Sequence, residues 1–246
     1  MFSFPADVFV TRTSVYVMDT SNFRVQKWSR YFLNTVTVAG IVGVRGSSTS
    51  MTALGNSYNL FLDKYENVFV GDYGNHRVMM FLSNSTSGTS GVMVAGTGIQ
   101  GSNSRGLNRP SGIFVTDDRI LYIADTENHR IQKWTIGANS GTTVAGRGKA
   151  GTALSQLNSP YTVLVDSNEH MYITDYGNSR IMRWRLGANV GECIAACSGY
   201  WGIASNQLYT PSSIAFDSSG FLYVNDLGNN RVQKFEILNK TSIEIS

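Results

Sequence analysis

Five aspartates recur along the chain, and an arginine follows each of them five residues later. Five carboxylates that converge could bind a cation such as Ca²⁺, which needs about six to eight oxygen ligands around one point. A carboxylate beside its own guanidinium instead forms an ion pair. Because every carboxylate has its arginine, we interpret the pairs as structural and predict no metal site and no cofactor. The pairs are Asp19–Arg24, Asp72–Arg77, Asp125–Arg130, Asp175–Arg180 and Asp226–Arg231.

The four residues inside each pair have the composition of a tight turn. The third of them is always asparagine, at positions 22, 75, 128, 178 and 229. Asparagine and glycine accept left-handed backbone, and an aspartate can accept hydrogen bonds from the N–H groups of a turn. We therefore predict that each Asp–Arg pair fastens a turn between two strands.

The pairs belong to a longer repeat that covers residues 19–28, 72–81, 125–134, 175–184 and 226–235. The Asp-to-Asp intervals are 53, 53, 50 and 51 residues. Alternating apolar residues come before each copy, as in Ile113 and Val115, followed by an apolar run such as Leu121–Ile123 that ends at the aspartate. These are strand signatures. A period near 50 residues made of strands predicts repeated β-blades.

The repeat resembles the NHL repeat, most closely at Asn128-His129-Arg130 and Asn75-His76-Arg77. Phe23, Ser179 and Asn230 depart from the pattern at the histidine position. The resemblance implies a β-propeller of four-stranded blades, usually six of them. We predict an all-β fold of five NHL-type blades over residues 1–246, as a five-bladed ring or a piece of a six-bladed one. The last blade would take its fourth strand from Ile243 and Ile245.

The resemblance implies three functions: protein binding, RNA binding like that of propellers attached to ubiquitin-ligase proteins, and a metal-dependent peptidyl-hydroxyglycine amidating lyase activity. The lyase relatives use a histidine-bound metal. The three histidines here, His76, His129 and His170, fall in predicted turns that do not converge. We therefore predict that the protein is not an enzyme, and we assign no catalytic residue.

The segments between blades carry a one-sided charge. Residues 41–56, 97–109 and 147–159 contain five cations and no acid, and residues 198–210 add two aromatic side chains. A surface formed by these segments suits an anionic or sugar-like ligand. The alternative interpretation is that the cations are scattered on solvated loops and bind no ligand. The candidate ligand-binding residues are Arg45, Arg105, Arg109, Arg147, Lys149, Tyr200 and Trp201.

Cys193 and Cys197 have the spacing of a small disulfide loop, with free buried thiols as the alternative. Asn84 and Asn239 begin glycosylation sequons. Together these features favour an extracellular setting, although no signal peptide is recognisable. No apolar run is long enough for a membrane span.

Bulk composition agrees with a folded binding module. The chain of 246 residues is 42% hydrophobic and 15% charged, which excludes a disordered chain. Its net charge of +3 is too small to indicate nucleic acid by itself. We predict a scaffold that binds a protein or glycan through the inter-blade loops, and the rest of a longer chain is among the partners considered. RNA binding is the first alternative and a lyase the second.

Overall fold

The computed structural model describes residues 1–31 and 34–237. These residues form 19 β-strands, connected by loops and by 3₁₀ turns of three residues. Within them, no helix has the length and hydropathy that a membrane span requires. The predicted all-β fold is confirmed.

The strands form five small antiparallel sheets, one for each copy of the repeat. This is the architecture of a five-bladed β-propeller, as predicted. The blades consist of β1 (Pro5–Val10), β2 (Ser14–Asp19), β3 (Arg24–Ser29) and β4 (Thr35–Gly40); β5 (Leu60–Leu62), β6 (Val68–Asp72), β7 (Arg77–Phe81) and β8 (Val92–Gly96); β9 (Pro110–Val115), β10 (Ile120–Asp125), β11 (Arg130–Thr135) and β12 (Thr142–Gly146); β13 (Pro160–Val165), β14 (His170–Asp175), β15 (Arg180–Arg185) and β16 (Glu192–Ala195); and β17 (Pro211–Phe216), β18 (Phe221–Asp226) and β19 (Arg231–Glu236).

The fifth blade has three strands within the described residues. Its predicted fourth strand at Ile243 and Ile245 lies outside the described residues, as does the sequon at Asn239. In four of the blades a proline begins the first strand, at Pro5, Pro110, Pro160 and Pro211. A proline is tolerated there because it costs no ladder hydrogen bond.

The chain divides into two compact units. The first contains Met1–Leu121 and Trp134–Gly141, and the second contains Tyr122–Lys133 and the chain from Thr142 onward. Each unit has a hydrophobic core of strand residues. Tyr16, Val25, Leu60 and Val70 belong to the core of the first unit. Tyr172, Ile181 and Leu222 belong to the core of the second.

Hydrogen bonds from side chains connect the first strands of neighbouring blades inside each unit. In the first unit, Asp7 Oδ2 accepts the Leu60 N–H at 2.9 Å, and Asn59 Oδ1 accepts the Ile113 N–H at 3.0 Å. In the second unit, the Thr162 hydroxyl donates to the Ser212 carbonyl at 2.8 Å. Side chains at one repeated position thus tie the first blade to the second, the second to the third, and the fourth to the fifth.

The continuous apolar runs of the second strands, such as Leu121–Ile123, are typical of strands buried on both faces. This holds for β6, in which all five residues are buried, and for β10 and β14, in which one residue each is only partly buried. In β18 the apolar run is less buried, since Tyr223 is only partly buried, and Asn225 after the run is exposed. A polar side chain at that place is stable because solvent, rather than a packed neighbour, faces it.

Candidate functional site

The motif aspartate and arginine form an ion pair in every blade, and each aspartate side chain is fully buried. The Nε–Oδ2 distance is 2.8 Å for Arg24–Asp19 and Arg77–Asp72, and 2.7 Å for Arg130–Asp125, Arg180–Asp175 and Arg231–Asp226. Among the described residues, no group of three or more His, Cys, Asp or Glu side chains could hold a metal ion. Each carboxylate is therefore engaged by its own arginine.

The turn inside each pair is a 3₁₀ turn followed by one left-handed residue. The asparagine at the third position of the turn does not itself adopt left-handed backbone. The left-handed residue is the next one, with φ between +51° and +54°: Phe23, His76, His129, Ser179 and Asn230. The asparagine side chain instead donates a hydrogen bond to the motif aspartate. The Asn229 amide, for example, donates to Asp226 Oδ2 at 2.8 Å.

The same side chains also hold the link, by which we mean the segment that joins a blade to the blade before it. Arg231 donates to the carbonyls of Ile203, Ala204 and Gln207 at 2.6, 2.9 and 3.1 Å. Asn229 donates to the Gly202 carbonyl at 2.8 Å, while Asp226 Oδ1 accepts the Tyr209 N–H at 2.6 Å. We call the Asp–Asn–Arg set a staple. It fixes link 198–210 at five backbone positions.

Two other staples make corresponding contacts. Arg77 donates to the carbonyls of Ser47, Ser48 and Ser50, and Arg180 to those of Thr152, Ala153 and Gln156. Sequence analysis recognised the pair but missed the grip on the link. The arginine itself could have indicated this contact. Its guanidinium carries five N–H donors, and an ion pair through Nε alone leaves most of them in need of acceptors.

Two staples differ in their electrostatics. Burial raises the pKa of Asp175, and the hydrogen bonds from Asn158, Asn178 and Arg180 do not offset it fully. Burial also raises the pKa of Asp226, but hydrogen bonds from the Tyr209 N–H, Asn229, Arg231 and Gln233 outweigh it, so this pKa lies below its ordinary value. The Arg231 side chain is 30% exposed, against 9% for Arg180, so the staple of Asp226 lies closer to solvent.

The motif histidines are also structural. His76 Nδ1 accepts the Arg109 N–H at 3.1 Å, and His129 Nδ1 accepts the Ser159 N–H at 3.0 Å. In the copy that has Ser179 at this place, the hydroxyl accepts the Thr210 N–H at 3.4 Å. Each histidine therefore fastens the end of a link, just before the proline position that opens the next blade.

The predicted cations are exposed, in different surroundings. Arg45 lies in the first unit and Arg147 and Lys149 lie in the second, all on link surfaces. The Arg109 guanidinium lies 5.7 Å from the centre of the Tyr73 ring. Arg105 lines a pocket of about 290 Å³ beside β8, together with Trp134 and Asn139. Arg105 and Arg109 thus serve different surfaces of the first unit.

Tyr200 and Trp201 are the most exposed aromatic side chains of link 198–210, at 76% and 67% exposure. The Trp201 ring packs on Tyr209, with centroids 4.9 Å apart and planes inclined by 32°. We call Tyr200, Trp201 and Tyr209 the aromatic shelf. Ile203 in the same link and Leu227 in the adjoining motif turn are also exposed, at 78% and 50%. Sequence analysis missed Tyr209, Ile203 and Leu227, because their exposure depends on the path of the link.

The disulfide predicted between Cys193 and Cys197 is present. It connects Cys193 in β16 to Cys197, which lies shortly before Tyr200 of the aromatic shelf in the chain. Asn84, the first residue of the other sequon, is exposed in the loop between β7 and β8.

Comparisons with known proteins agree with this architecture. Residues 107–134 and 208–235 match the family model of the NHL repeat. The chain carries the NHL repeat at these two positions. The two matched segments contain the staples of Asp125 and Asp226 and the strands around them. A search of curated protein sequences found no match.

Solved structures that share the fold have diverse names. A streptogramin B lyase aligns with a TM-score of 0.61 and 11% identity, over 97% of this chain and 70% of the lyase. An auxiliary nutrient binding protein from Bacteroides ovatus aligns with a TM-score of 0.66 and 16% identity, over 94% and 58% of the two chains. A chain of a nidogen/laminin complex aligns with a TM-score of 0.63 and 17% identity, over 92% and 72%. At these identities the likeness concerns the fold.

Proposed function

We propose that this NHL-repeat chain is a non-catalytic module that binds a protein or a glycan through its inter-blade links. The observation that carries the proposal is the aromatic shelf on a stapled link. Tyr200 and Trp201 are largely exposed, yet the link that bears them is fixed by hydrogen bonds that Arg231 and Asn229 donate and that Asp226 accepts.

Exposed aromatic rings on a fixed backbone suit recognition. A tyrosine or tryptophan buries roughly 150–250 Å² when a partner covers it. At roughly 25 cal/mol per Å² this is several kcal/mol per ring before the costs of association. A link that is already ordered loses less entropy on binding than a mobile one, so more of that free energy contributes to affinity.

The surroundings of the shelf favour a protein over a glycan. Ile203 and Leu227 extend the exposed apolar surface, and aliphatic side chains beside aromatic anchors are typical of protein–protein contacts. Residues 198–210 contain no charged side chain, so the ligand needs no complementary charge at this link. The nidogen/laminin complex among the similar structures is in keeping with a protein ligand on this fold.

The proposal is tested by a binding screen with three forms of the chain. A panel of recombinant secreted proteins and a glycan array are probed with the unmodified chain, with Tyr200→Ala/Trp201→Ala, and with Arg147→Ala/Lys149→Ala as the matched control on the neighbouring link. We expect ligands that lose at least about tenfold in affinity with the aromatic variant and keep it with the control, as for removal of central aromatic anchors.

Other outcomes separate the alternatives. Ligands that are lost with the control variant and kept with the aromatic variant would transfer the site to the basic links. RNA affinity that falls steeply with salt would favour the RNA-binding alternative. Metal retained after purification, together with turnover, would favour the lyase alternative.

A further inference from the structure

We propose that the Cys193–Cys197 disulfide is a redox latch that holds the aromatic shelf in its binding conformation, so that a dithiol reductant loosens the shelf. The inference rests on the function proposed for the shelf and adds its regulation. Three features of the fourth blade support it: a left-handed alanine, a longer link tip, and the accessibility of one sulfur.

The first feature is the residue that closes the fourth strand. Gly40, Gly96 and Gly146 stand opposite the motif arginine in the first three blades, with φ between +75° and +83°. A Cβ at Gly146 would overlap the carbonyl oxygen of His129, and the other two glycines face the same overlap. Glycine is therefore the residue that suits this place.

The fourth blade has Ala196 at the corresponding place, and its φ is +55°. A residue with a Cβ is strained in the left-handed region and stays there only when its surroundings enforce it. The disulfide spans this residue, because it joins Cys193 on β16 to Cys197 immediately after Ala196. A covalent loop of this size restricts the conformations open to Ala196.

The second feature is the tip, which we define as the residues between the closing residue and the glycine whose carbonyl the staple asparagine binds. The tip of the preceding link is residues 147–150, and that of the shelf link is residues 197–201, one residue longer. The other five-residue tip, 41–45, is braced by a β-bridge between Ile41 and Val44.

The shelf tip has a different brace. Its own hydrogen bonds are local, between Ser198 and Tyr200, and the contacts of the staple begin at Gly202. The disulfide at Cys197 anchors one end of the tip, and the ring contact of Trp201 with Tyr209 anchors the other. Loss of the first anchor leaves the start of the tip held only by the chain connection through Ala196 to β16.

The third feature is chemical access. Cys197 is exposed, whereas Cys193 is partly buried. A thiolate of a dithiol reductant can attack Cys197 Sγ, breaking the S–S bond, forming a mixed disulfide and releasing Cys193 as a thiolate. The second thiol of the reductant then displaces Cys197. The protein gains two electrons and two protons, and the reductant becomes its own disulfide.

The test uses hydrogen–deuterium exchange of the full chain, measured by mass spectrometry before and after dithiothreitol. Complete reduction is verified by a mass gain of two hydrogens. We expect amides in residues 197–203 to exchange at least about fivefold faster after reduction, as for a segment that gains local opening. The matched control is the tip 147–150, which has no disulfide and should not change.

Two variants make the test specific. Cys193→Ser/Cys197→Ser should exchange like the reduced chain without added reductant. Ala196→Gly should show a smaller response to reduction, because glycine tolerates the left-handed backbone without the latch. An equal response in Ala196→Gly would overturn the part assigned to Ala196.

Unchanged exchange in residues 197–203 after verified reduction would overturn the latch itself. This readout needs no ligand. A chain that binds nothing in the screen but shows the exchange response would refute the proposed function and leave the latch standing. Ligands bound equally by the oxidised and the reduced chain would refute its regulatory role.

Discussion

The links 147–159 and 198–210 share one scaffold and differ at their tips. Counted from the glycine that the staple binds, both read Gly-x-Ala-x-x-Gln-Leu, at residues 151–157 and 202–208. Arg180 and Arg231 bind the carbonyls of equivalent residues in the two links. Before the glycine, the first link has Lys149 and Ala150, and the second has Tyr200 and Trp201.

The comparison shows that one set of residues fixes the path of the backbone and another set determines which ligand the link can bind. The staple and the shared link residues fix the path of the chain, and the tip residues decide what that path presents to solvent. We call the staple and the shared link residues the support. A basic tip and an aromatic tip are therefore alternative surfaces on the same support. The predictions below challenge first the support and then the tips.

The largest effect is expected from Arg180→Ala. It leaves the Asp175 carboxylate buried without its partner and three link carbonyls without their donor. Breaking a buried pair in this way costs about 3–5 kcal/mol of unfolding free energy. Urea unfolding measures it, with the exposed Arg185→Ala as control, for which we expect less than about 0.5 kcal/mol. Equal stability of the two variants would contradict the structural role of the staple.

A smaller effect is expected at the residue that closes the fourth strand. Gly146→Ala forces a Cβ against the His129 carbonyl and places alanine at a left-handed φ of +75°. We expect a loss of about 1–3 kcal/mol, measured by the same unfolding experiment. The reverse change in the other link, Ala196→Gly, should alter stability by less than about 1 kcal/mol. A Gly146→Ala chain as stable as the original would show that the backbone there relaxes freely.

Acid should affect the two links differently. The pKa of Asp226 lies below its ordinary 3.8, so its ionised form stabilises the folded link above that value, and this stabilisation is lost as the pH falls through the lower folded-state pKa. The pKa of Asp175 is raised, so the folded state binds this proton more tightly than the unfolded state does. Acidification therefore does not lower the free energy of unfolding through this group.

Exchange measurements near pH 6 and pH 3, corrected for intrinsic rates, should show residues 203–210 losing protection at the lower pH and residues 152–159 keeping theirs. Asp226→Asn serves as control, because it removes the titrating group at the shelf link. Loss of protection at both links to the same extent would contradict the assigned pKa directions.

The smallest effect on stability is expected at the basic tip. Arg147 and Lys149 are exposed, so Arg147→Ala/Lys149→Ala should change the unfolding free energy by no more than about 0.5 kcal/mol. Thermal unfolding checks this. A large loss would mean that the tip, and not only the staple, supports the link.

The sequence predicts the support better than the surface. The Asp–Arg spacing, the period and the apolar runs predict the blades because each depends on neighbours close in the chain or repeated at a fixed interval. The grip of Arg231 on Ile203 and Gln207 joins residues 28 and 24 positions apart, across a loop without regular structure. No periodic pattern reports such a contact, so it was missed.

The aromatic site was predicted in part for the same reason. Tyr200 and Trp201 stand out in the sequence because large aromatic residues are unusual in a Gly- and Ser-rich loop. Tyr209 lies eight residues from Trp201, and only the fold of the link stacks the two rings. The backbone state of Ala196 likewise has no sequence signal except its alignment with three glycines.

The most direct test of this account is to exchange the tip chemistry. Tyr200→Lys/Trp201→Ala gives the shelf link the two residues that precede the glycine in the neighbouring link. The account predicts an unfolding free energy within about 1 kcal/mol of the original chain and a loss of at least about tenfold in affinity for ligands selected by the original chain. Retained affinity, or a variant destabilised by several kcal/mol, would contradict the separation of support from surface.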